Sequence, residues 1–342
     1  MPAPASAAAD LAYALLIGQG RSGTNYLLGL LDQSAHTHCR NEPDQLDRSA
    51  LARLAPFRFF VDDEPELARL YDAAVRQAAR CLGPRDHLTE VDKAWIRAGR
   101  RRLGYFLLRQ RIRAVERLVH WRKPMDGKEH VFPRWMVDHA ALARSTHVFK
   151  LNAAVGYGGW ALRARAGARV IQLVRHPGGF AKSWLKRWVR GEGGQQRGRG
   201  NADRWKDEER LREVARRDPR WAARFGDIER MERFEGELWW WRWVNETLLE
   251  AGGGRPGHCL VLYEDLTREP ERITRGVYEF LGLSWSAEIG ARVAALSRGA
   301  ESIARAWKDE LEPAHVATVE RVLHGSPMES WWTRTEAPRA AA

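Results

Sequence analysis

Residues 12–31 read AYALLIGQGRSGTNYLLGLL, and this stretch decides the fold class. Its continuous apolar start is typical of a strand that is buried on both faces of a parallel sheet. Gly18 and Gly20 then interrupt the apolar run, and the leucines that follow recur on one face of a helix. A buried strand, a glycine-containing turn and a helix in this order predict the first unit of a phosphate-binding α/β fold.

Three further strands are predicted downstream, at residues 146–151, 169–174 and 259–263. Helical sequence follows the last two, and in both cases a proline stands near the start of the helix. Strands that alternate with helices indicate a mainly parallel sheet with helices on both faces. We therefore predict one α/β domain over residues 1–342, with a P-loop-like central parallel sheet of about four or five strands, flanking helices and helical insertions.

The segments between these units differ from them in composition. Residues 44–145 carry many charges and are predicted to be helical, and residues 205–250 are predicted to be helical and rich in Trp. Residues 190–205 are rich in Gly and Arg, which predicts a mobile loop. Within the Trp-rich part, positions 239–243 fall at helical spacing, so these rings are expected to pack in the core, and a wall of the acceptor site is the alternative.

A net charge of +12 attracts anions such as nucleotides, sulfated or carboxylated substrates, or nucleic acid, but charge alone does not choose among functions. Cys39, Cys81 and Cys259 stand far apart, so neither a disulfide framework nor a zinc cluster is expected. No basic residue precedes Arg21, and the apolar run at 11–17 is too short to cross a bilayer. These features predict a cytoplasmic protein without a membrane span.

Residues 18–25, GQGRSGTN, resemble the loop that binds nucleoside triphosphates, with two informative differences. That loop needs a Lys for the β- and γ-phosphates and a Ser or Thr hydroxyl for Mg²⁺. Thr24 and Asn25 occupy those two positions here. The backbone N–H groups and the helix N-terminus remain, and Arg21 adds a guanidinium, so the loop is predicted to bind an anion without a metal.

A second motif, LVRHPGGFAKSW, covers residues 173–184. It places Arg175 at the end of a predicted strand and Ser183 two turns into the following helix. This spacing lets a guanidinium fork and a hydroxyl converge on one phosphate group. In isolation the motif fits an ordinary helix start with an exposed Arg equally well.

Together, these two motifs resemble those of the family of sulfotransferases that use 3′-phosphoadenosine 5′-phosphosulfate (PAPS), in the pattern of its bacterial and tyrosylprotein members. LYEDLTREPERITRGVYEFLGL at 262–283 and SIARAWKDEL at 302–311 are similar to two later segments of that family. The resemblance covers residues 12–43, 146–190 and 258–325. It implies transfer of a sulfuryl group from PAPS to an acceptor hydroxyl, with release of PAP and with no metal, and it assigns the insertions 44–145 and 191–257 to the acceptor side.

The resemblance also implies which residues bind the nucleotide. The first loop would hold the 5′-phosphosulfate, the second motif the 3′-phosphate, and the late segment the 3′-phosphate and the adenine. In the late segment Ala306 separates Arg305 from Trp307, one residue more than the family pattern has. The implied cofactor-binding residues are Gly20, Arg21, Ser22, Gly23, Thr24, Asn25, Arg175, Ser183, Ser302, Arg305 and Trp307.

Two catalytic residues are implied by the same resemblance. Arg21 would stabilise the charge on the leaving oxygen of PAP, and Glu42, in a turn at a strand end, would accept the proton of the acceptor hydroxyl. Other family branches use His as the base, so His36, His38 and His87 are alternatives. Lys150 stands at a family position near the active centre, although a Lys that reaches solvent from a strand end fits equally well. His176 is given no chemical role.

The acceptor itself is left open by the sequence. Its Trp and Arg content favours a carbohydrate, or a small-molecule or natural-product hydroxyl, and Trp188 and Trp205 beside the Gly/Arg loop are candidates for a lid. Three other functions stay open: a nucleotide-dependent kinase on the same loop, a basic nucleic-acid-binding protein, and a relative that binds PAP without catalysis. Nucleic acid is not the expected partner, and the oligomeric state is not indicated.

Overall fold

The structure is a computed structural model of the chain. It describes residues 11–46, 49–83, 86, 91–97, 129–188 and 200–333, together with isolated helical positions at 103, 106, 107, 110 and 114.

A five-stranded parallel sheet forms the centre of the fold, in the order β2-β5-β1-β6-β7. Two short strands, β3 and β4, form a separate antiparallel pair. In chain order, the strands of the described residues are β1 (Tyr13–Gly18), β2 (Thr37–Asn41), β3 (Cys81–Leu82), β4 (His130–Val131), β5 (Thr146–Asn152), β6 (Arg169–Val174) and β7 (His258–Leu262).

Helices connect the strands and cover the sheet. Short 3₁₀ helices lie at Pro43–Gln45, Leu51–Phe57 and Ile228–Arg230. The α-helices of the described residues are α1 (Thr24–Leu31), α2 (Glu64–Ala78), α3 (His139–Arg144), α4 (Val155–Ala164), α5 (Pro177–Trp188), α6 (Gly200–Arg217), α7 (Pro219–Phe225), α8 (Arg233–Gly252), α9 (Tyr263–Arg268), α10 (Pro270–Leu281), α11 (Ala287–Leu296), α12 (Ala300–Arg305), α13 (Trp307–Glu310), α14 (Pro313–Leu323) and α15 (Glu329–Thr333).

The central strand β1 shows why a continuous apolar run is needed there. Its side chains alternate between two cores, so both faces of the sheet are covered. Leu15 and Ile17 belong to the core that includes α4 and α8, whereas Ala14 and Leu16 belong to the core that includes α1 and α10. The predicted α/β class, with helices on both faces of a parallel sheet, is confirmed.

The predicted strands lie within one residue of the observed β1, β5, β6 and β7. The strand β2 is expected only from the placement of Glu42 at a strand end, and no apolar run predicts it, because its letters are THCRN. It is nevertheless buried throughout. Its polar side chains have their own buried partners: Arg40 donates to Asp86, at 2.5 Å, and to the Ala78 carbonyl, and His38 contacts His147.

Two expectations about the insertions need correction. The segment 44–145 was expected to be helical, but its described part also contains the β3–β4 pair. The predicted loop 190–205 is wrong over residues 200–205, where α6 has already begun, because the sequence from 202 on is rich in the good helix formers Ala, Lys, Glu and Arg. Residues 190–199 of that predicted loop lie outside the described residues.

The Trp-rich helix α8 is a core element. Trp239, Trp240, Trp241 and Trp243 are all buried in the same core as α4. The expected core role of this run is therefore confirmed. In the described part of the chain, no helix is long and apolar enough to cross a membrane.

Candidate active site

The carboxyl ends of all five parallel strands meet at one edge of the sheet. Gly18 pairs in register with Asn152, and Asn41 pairs with Lys150. Val174 pairs with Leu262. Open α/β sheets bind their ligands at this edge. The register therefore brings the predicted loop after β1, the turn after β2 and the motif after β6 to the same edge.

Backbone strain marks the same edge. Among the described residues other than Gly, positive φ angles occur at Arg21 (75°), Glu42 (52°) and Ala153 (51°). These residues follow β1, β2 and β5, which are neighbours in the sheet. Such conformations cost roughly 1–3 kcal/mol each and concentrate at functional sites. The strain supports a functional site here independently of any motif.

The loop between β1 and α1 depends on glycine at two positions. Gly23 has a φ of 91°, and a Cβ added there would overlap the ring of Tyr263. A Cβ at Gly18 would lie 2.7 Å from the Leu173 carbonyl oxygen. The Ser22 N–H is already used within the loop, where it donates to the Gln19 carbonyl at 3.1 Å, and the Ser22 side chain is buried. Thr24 is buried as well, whereas Arg21 and Asn25 are exposed.

The two predicted phosphate motifs come into direct contact. Arg21 Nε donates to Ser183 Oγ at 2.9 Å. Arg175 Nη1 donates to the Arg21 carbonyl at 3.1 Å, and its Nη2 reaches the Ile303 carbonyl at 3.5 Å. Ile303 belongs to α12, so the late segment also borders this cluster. We call Arg21, Arg175 and Ser183 the guanidinium cluster.

Tyr263 connects the parts of this site. It belongs to the segment 262–283, for which the sequence predicts no binding role. The Arg175 guanidinium lies over its ring, 4.6 Å from the centroid, as in a cation–π contact. The same ring fills the space beside Gly23 and packs edge-on against Tyr26 at 6.2 Å. Burial lowers the pKa of Arg175 from its usual range, but an Arg stays charged at neutral pH. Tyr263 thus holds Arg175 against the loop.

Only part of the late segment, residues 302–311, contacts the guanidinium cluster, through the Ile303 carbonyl. Ser302 donates to the Gly299 carbonyl at 2.8 Å, and Arg305 pairs with Glu301 at 2.8 Å. Both side chains are exposed, and in the described structure neither bonds to the guanidinium cluster. Their predicted role therefore remains a prediction.

Trp307 covers the start of α5. Its ring stacks on His176 at 4.2 Å, nearly parallel, and leaves no room for a side chain at Gly178. His176 Nδ1 accepts from the Gly178 N–H at 3.0 Å. Burial lowers the pKa of His176 to about 3, so this ring is neutral near pH 7. His176 has a structural contact here, in agreement with the absence of a predicted chemical role.

Glu42 lies in the turn directly after β2, as predicted. Its N–H donates to the Lys150 carbonyl at 2.9 Å. Its carboxylate Oε1 forms an ion pair with Lys150 Nζ and accepts from Asn152 Nδ2 at 2.5 Å. The Glu42 side chain is 17% exposed and that of Lys150 is 3% exposed, so the pair is mostly shielded from solvent. Lys150 therefore points toward the site and not into solvent.

Of the alternative His bases, His36 and His38 belong to the described residues, and neither bonds to Glu42 there. His36 is exposed and precedes β2, at the amino end of the sheet, and its carbonyl accepts from Thr146. His38 is buried and contacts His147 at 3.1 Å between the Nδ1 atoms. Burial lowers the pKa of His38 well below its usual range. His87 lies outside the described residues. Over the described ranges there is also no group of three or more His, Cys, Asp or Glu that could hold a metal.

The parallel sheet, with the guanidinium cluster at its carboxyl edge, defines an α/β protein. The chain belongs to the sulfotransferase family, whose model matches residues 14–287. The protein is therefore a member of an enzyme family of transferases. The match includes both insertions as well as the predicted core segments up to residue 287.

Several solved sulfotransferase structures are similar to this chain. The sulfotransferase domain from the curacin biosynthetic pathway is 14% identical, with 91% of this chain and 96% of that chain covered and a TM-score of 0.43. The mouse sulfotransferase SULT7A1 complexed with PAP is 10% identical, with coverage of 96% and 88% and a TM-score of 0.41. The sulfotransferase domain from the Synechococcus PCC 7002 olefin synthase is 17% identical, with coverage of 92% and 95% and a TM-score of 0.42. Among curated proteins, none matches the chain.

Proposed function

We propose that this protein transfers a sulfuryl group from PAPS to an acceptor hydroxyl and releases PAP. The observation that carries the proposal is the contact between the two phosphate motifs, in which Arg21 bonds to Ser183 and Arg175 bonds to the Arg21 backbone. A buried donor is also available there, since Arg175 Nε has no hydrogen-bond partner in the described structure. A phosphate group suits an orphan guanidinium donor of this kind.

The proposed reaction is an in-line displacement at sulfur. The acceptor oxygen forms a bond to sulfur while the bond from sulfur to the bridging oxygen of PAP breaks, and negative charge develops on that leaving oxygen. Arg21 is the proposed partner of this oxygen, because its guanidinium lies at the loop that would hold the 5′-phosphosulfate. Ser183 orients the Arg21 side chain through the 2.9 Å hydrogen bond. Positioning and charge stabilisation would supply most of the rate, as in phosphoryl transfer.

Glu42 is the proposed base that accepts the proton of the acceptor hydroxyl. Its left-handed backbone directs it to the carboxyl edge of the sheet, and Asn152 and Lys150 hold Oε1. Because Lys150 carries a positive charge beside this carboxylate, we propose that its ammonium also faces the transferred sulfuryl group. Both assignments predict that charge-removing variants at this pair reduce turnover more than nucleotide affinity.

The proposed nucleotide site comprises Gly20, Arg21, Ser22, Gly23, Thr24, Asn25, Arg175, Ser183, Ser302, Arg305 and Trp307. We further propose that residues 1–342 form one sulfotransferase domain. The loop 18–25 and the guanidinium cluster are the parts of the site that the contacts support most directly. Ser302, Arg305 and Trp307 would need to approach the nucleotide from α12 and α13, next to the Ile303 carbonyl that Arg175 reaches.

The acceptor is proposed to be a carbohydrate or a small-molecule or natural-product hydroxyl. The Trp run in α8 gives no support to an acceptor wall, since those four rings are buried in the core. The phosphate loop does not favour a kinase function. Thr24 and Asn25 stand where a kinase loop needs Lys and a metal-binding hydroxyl.

A PAPS turnover assay tests the proposed function. PAP release would be followed with panels of sugars, phenols and natural-product alcohols, for the wild type and for Arg21→Ala. Acceptor-dependent PAP release that is lost in Arg21→Ala supports the proposal. PAP release of equal rate in both proteins, or none with any acceptor despite tight PAP binding, contradicts it, and the second result would favour a binding protein without catalysis.

A further inference from the structure

Glu264 is a buried carboxylate behind the guanidinium cluster, and the proposed reaction does not use it. It follows β7, in the first turn of α9. Its Oε1 accepts from the His176 N–H at 3.0 Å, which ties the end of β6 to the end of β7. Its Oε2 is buried and has no hydrogen-bond partner in the described part of the structure. A buried carboxylate oxygen without a donor is costly when it is charged.

The charges that face Glu264 come from several elements. Arg175, at the end of β6, is the cation whose field acts on it, and Asp265 on its own helix opposes that field. Asp265 itself pairs with Arg268. From the helices packed nearby, Glu301 pairs with the exposed Arg305 of α12, and Lys308 of α13 lies beyond the Trp307 ring, where it acts on His176.

Two neighbouring groups do not titrate near neutral pH. Burial lowers the pKa of His176 to about 3, and burial raises the pKa of Tyr263 above its usual value of 10.0. Both groups are therefore neutral between pH 6 and pH 9. Arg175 is therefore the charged cation that acts on the Glu264 carboxylate near neutral pH.

The proposed function adds a second anion to the same guanidinium. A 3′-phosphate at Arg175 carries nearly two negative charges at pH 7. Two anions that share one cation in a buried site cannot both stay ionised without a large cost. Burial already raises the pKa of Glu264 to about 7, so its carboxyl can accept a proton near neutral pH at little cost.

We propose that Glu264 takes up one proton from the solvent when the 3′-phosphate of the nucleotide binds at Arg175, so that nucleotide affinity is linked to pH. The step forms no bond to the nucleotide and involves only transfer of a proton from water to the Glu264 carboxylate. This inference rests on the proposed function, because it assigns the 3′-phosphate to Arg175.

The direction in which PAP affinity changes with pH follows from the protonation state of Glu264 that the bound nucleotide favours. The bound form prefers protonated Glu264, so affinity falls as the pH rises above the pKa of the free protein, about 7. If only the protonated form binds, the fraction that can bind drops from about one half at pH 7 to about 1% at pH 9. The dissociation constant of PAP would then rise by up to about 50-fold over this range.

The test is calorimetric titration of PAP between pH 7 and pH 9, in two buffers with different ionisation heats. Glu264→Gln keeps an acceptor for the His176 N–H and removes the titration. Glu279→Gln is a matched control, because Glu279 is exposed on α10. The ligand 5′-AMP serves as the control without a 3′-phosphate.

The expected result for the wild type and for Glu279→Gln is PAP affinity that falls with pH, with proton uptake that rises from about one half at pH 7 to close to one at pH 9. Glu264→Gln should bind PAP with little pH dependence, and 5′-AMP should show little dependence with any of the three proteins. The buffer dependence of the wild-type heat tests proton uptake even if Glu264→Gln does not fold. Equal pH dependence in wild type and Glu264→Gln, or no proton uptake by the wild type, overturns the inference while PAP binding stands. PAP affinity no higher than that of 5′-AMP refutes the proposed function, and this inference with it.

Discussion

Substitution of Gly23 by Ala perturbs the centre of the proposed nucleotide site in a defined way. The new Cβ would overlap the Tyr263 ring, and the φ of 91° would be strained for Ala. The backbone strain alone costs roughly 1–3 kcal/mol. To relieve the overlap, the Tyr263 ring must move, and this ring is the one that supports the Arg175 guanidinium at 4.6 Å. We therefore expect lower stability and weaker nucleotide binding together.

The loss of binding can be given a magnitude. If Arg175 loses one charge-assisted hydrogen bond to the nucleotide, binding weakens by about 1.5–3 kcal/mol. This corresponds to roughly a 10- to 150-fold higher dissociation constant for PAP. Gly29→Ala in α1 is the control, since Gly29 lies outside the proposed nucleotide site, its Cβ would meet nothing within 4 Å and its φ is not positive.

Thermal unfolding and calorimetric PAP titration of both variants test this reasoning. Gly23→Ala should unfold several degrees lower and bind PAP more weakly, while Gly29→Ala unfolds no lower than the wild type and binds PAP equally well. In the background of Tyr263→Ala, the overlap is absent, and Gly23→Ala should cost less stability. If Gly23→Ala behaves like Gly29→Ala, the packing of Tyr263 against the loop does not hold Arg175, and the reasoning is refuted.

Glu42→Gln should lower kcat by about 100-fold or more, with PAP affinity nearly unchanged, because a general base contributes rate and not nucleotide binding; an unchanged kcat would remove Glu42 as the base. Ser183→Ala should lower kcat/KM by about fivefold, because it removes the hydrogen bond from Arg21 to a neutral hydroxyl. Thr318→Ala, which removes an exposed helical hydroxyl, should have no effect. Equal effects of the two substitutions would contradict an orienting role of Ser183. His147 is buried and its pKa is lowered to about 4, so as the pH falls from 6.5 to 4 the unfolded chain binds the proton first and stability is lost. The stability advantage of wild type over His147→Asn should therefore shrink by up to about 3 kcal/mol in this interval, measured by urea unfolding; a constant difference would contradict burial of a neutral His147.

The residues that the sequence could identify are those whose neighbours along the chain explain their role. The apolar run before Gly18 predicted β1, and the eight-residue spacing from Arg175 to Ser183 predicted their convergence. The structure joins them through Arg21, which bonds to both. Local pattern was sufficient for β1, because strand, turn and helix are consecutive in the chain, whereas the contacts through Arg21 join distant segments.

The remaining parts of the site depend on contacts between distant residues. β2 has no apolar signal of its own, because Arg40 and His38 are buried only through partners that come from elsewhere in the chain, Asp86 and His147. Tyr263 and Glu264 were seen as part of a motif, but their roles depend on β7 lying beside β6. The pairing of Glu42 with Lys150 likewise depends on the register of β2 against β5. Such contacts have no signal in a single sequence.

The central claim is that this site binds a nucleotide with a 3′-phosphate at Arg175 and needs no metal. The most direct measurement is a thermal-unfolding titration of wild type and Arg175→Ala with PAP, 5′-AMP, ADP and ATP·Mg²⁺. A ligand at 100 times its dissociation constant stabilises the fold by about 2.7 kcal/mol. We predict strong stabilisation of the wild type by PAP without Mg²⁺, little by 5′-AMP, and loss of this difference in Arg175→Ala. Preference for ATP·Mg²⁺, with equal responses to PAP and 5′-AMP, would contradict the account.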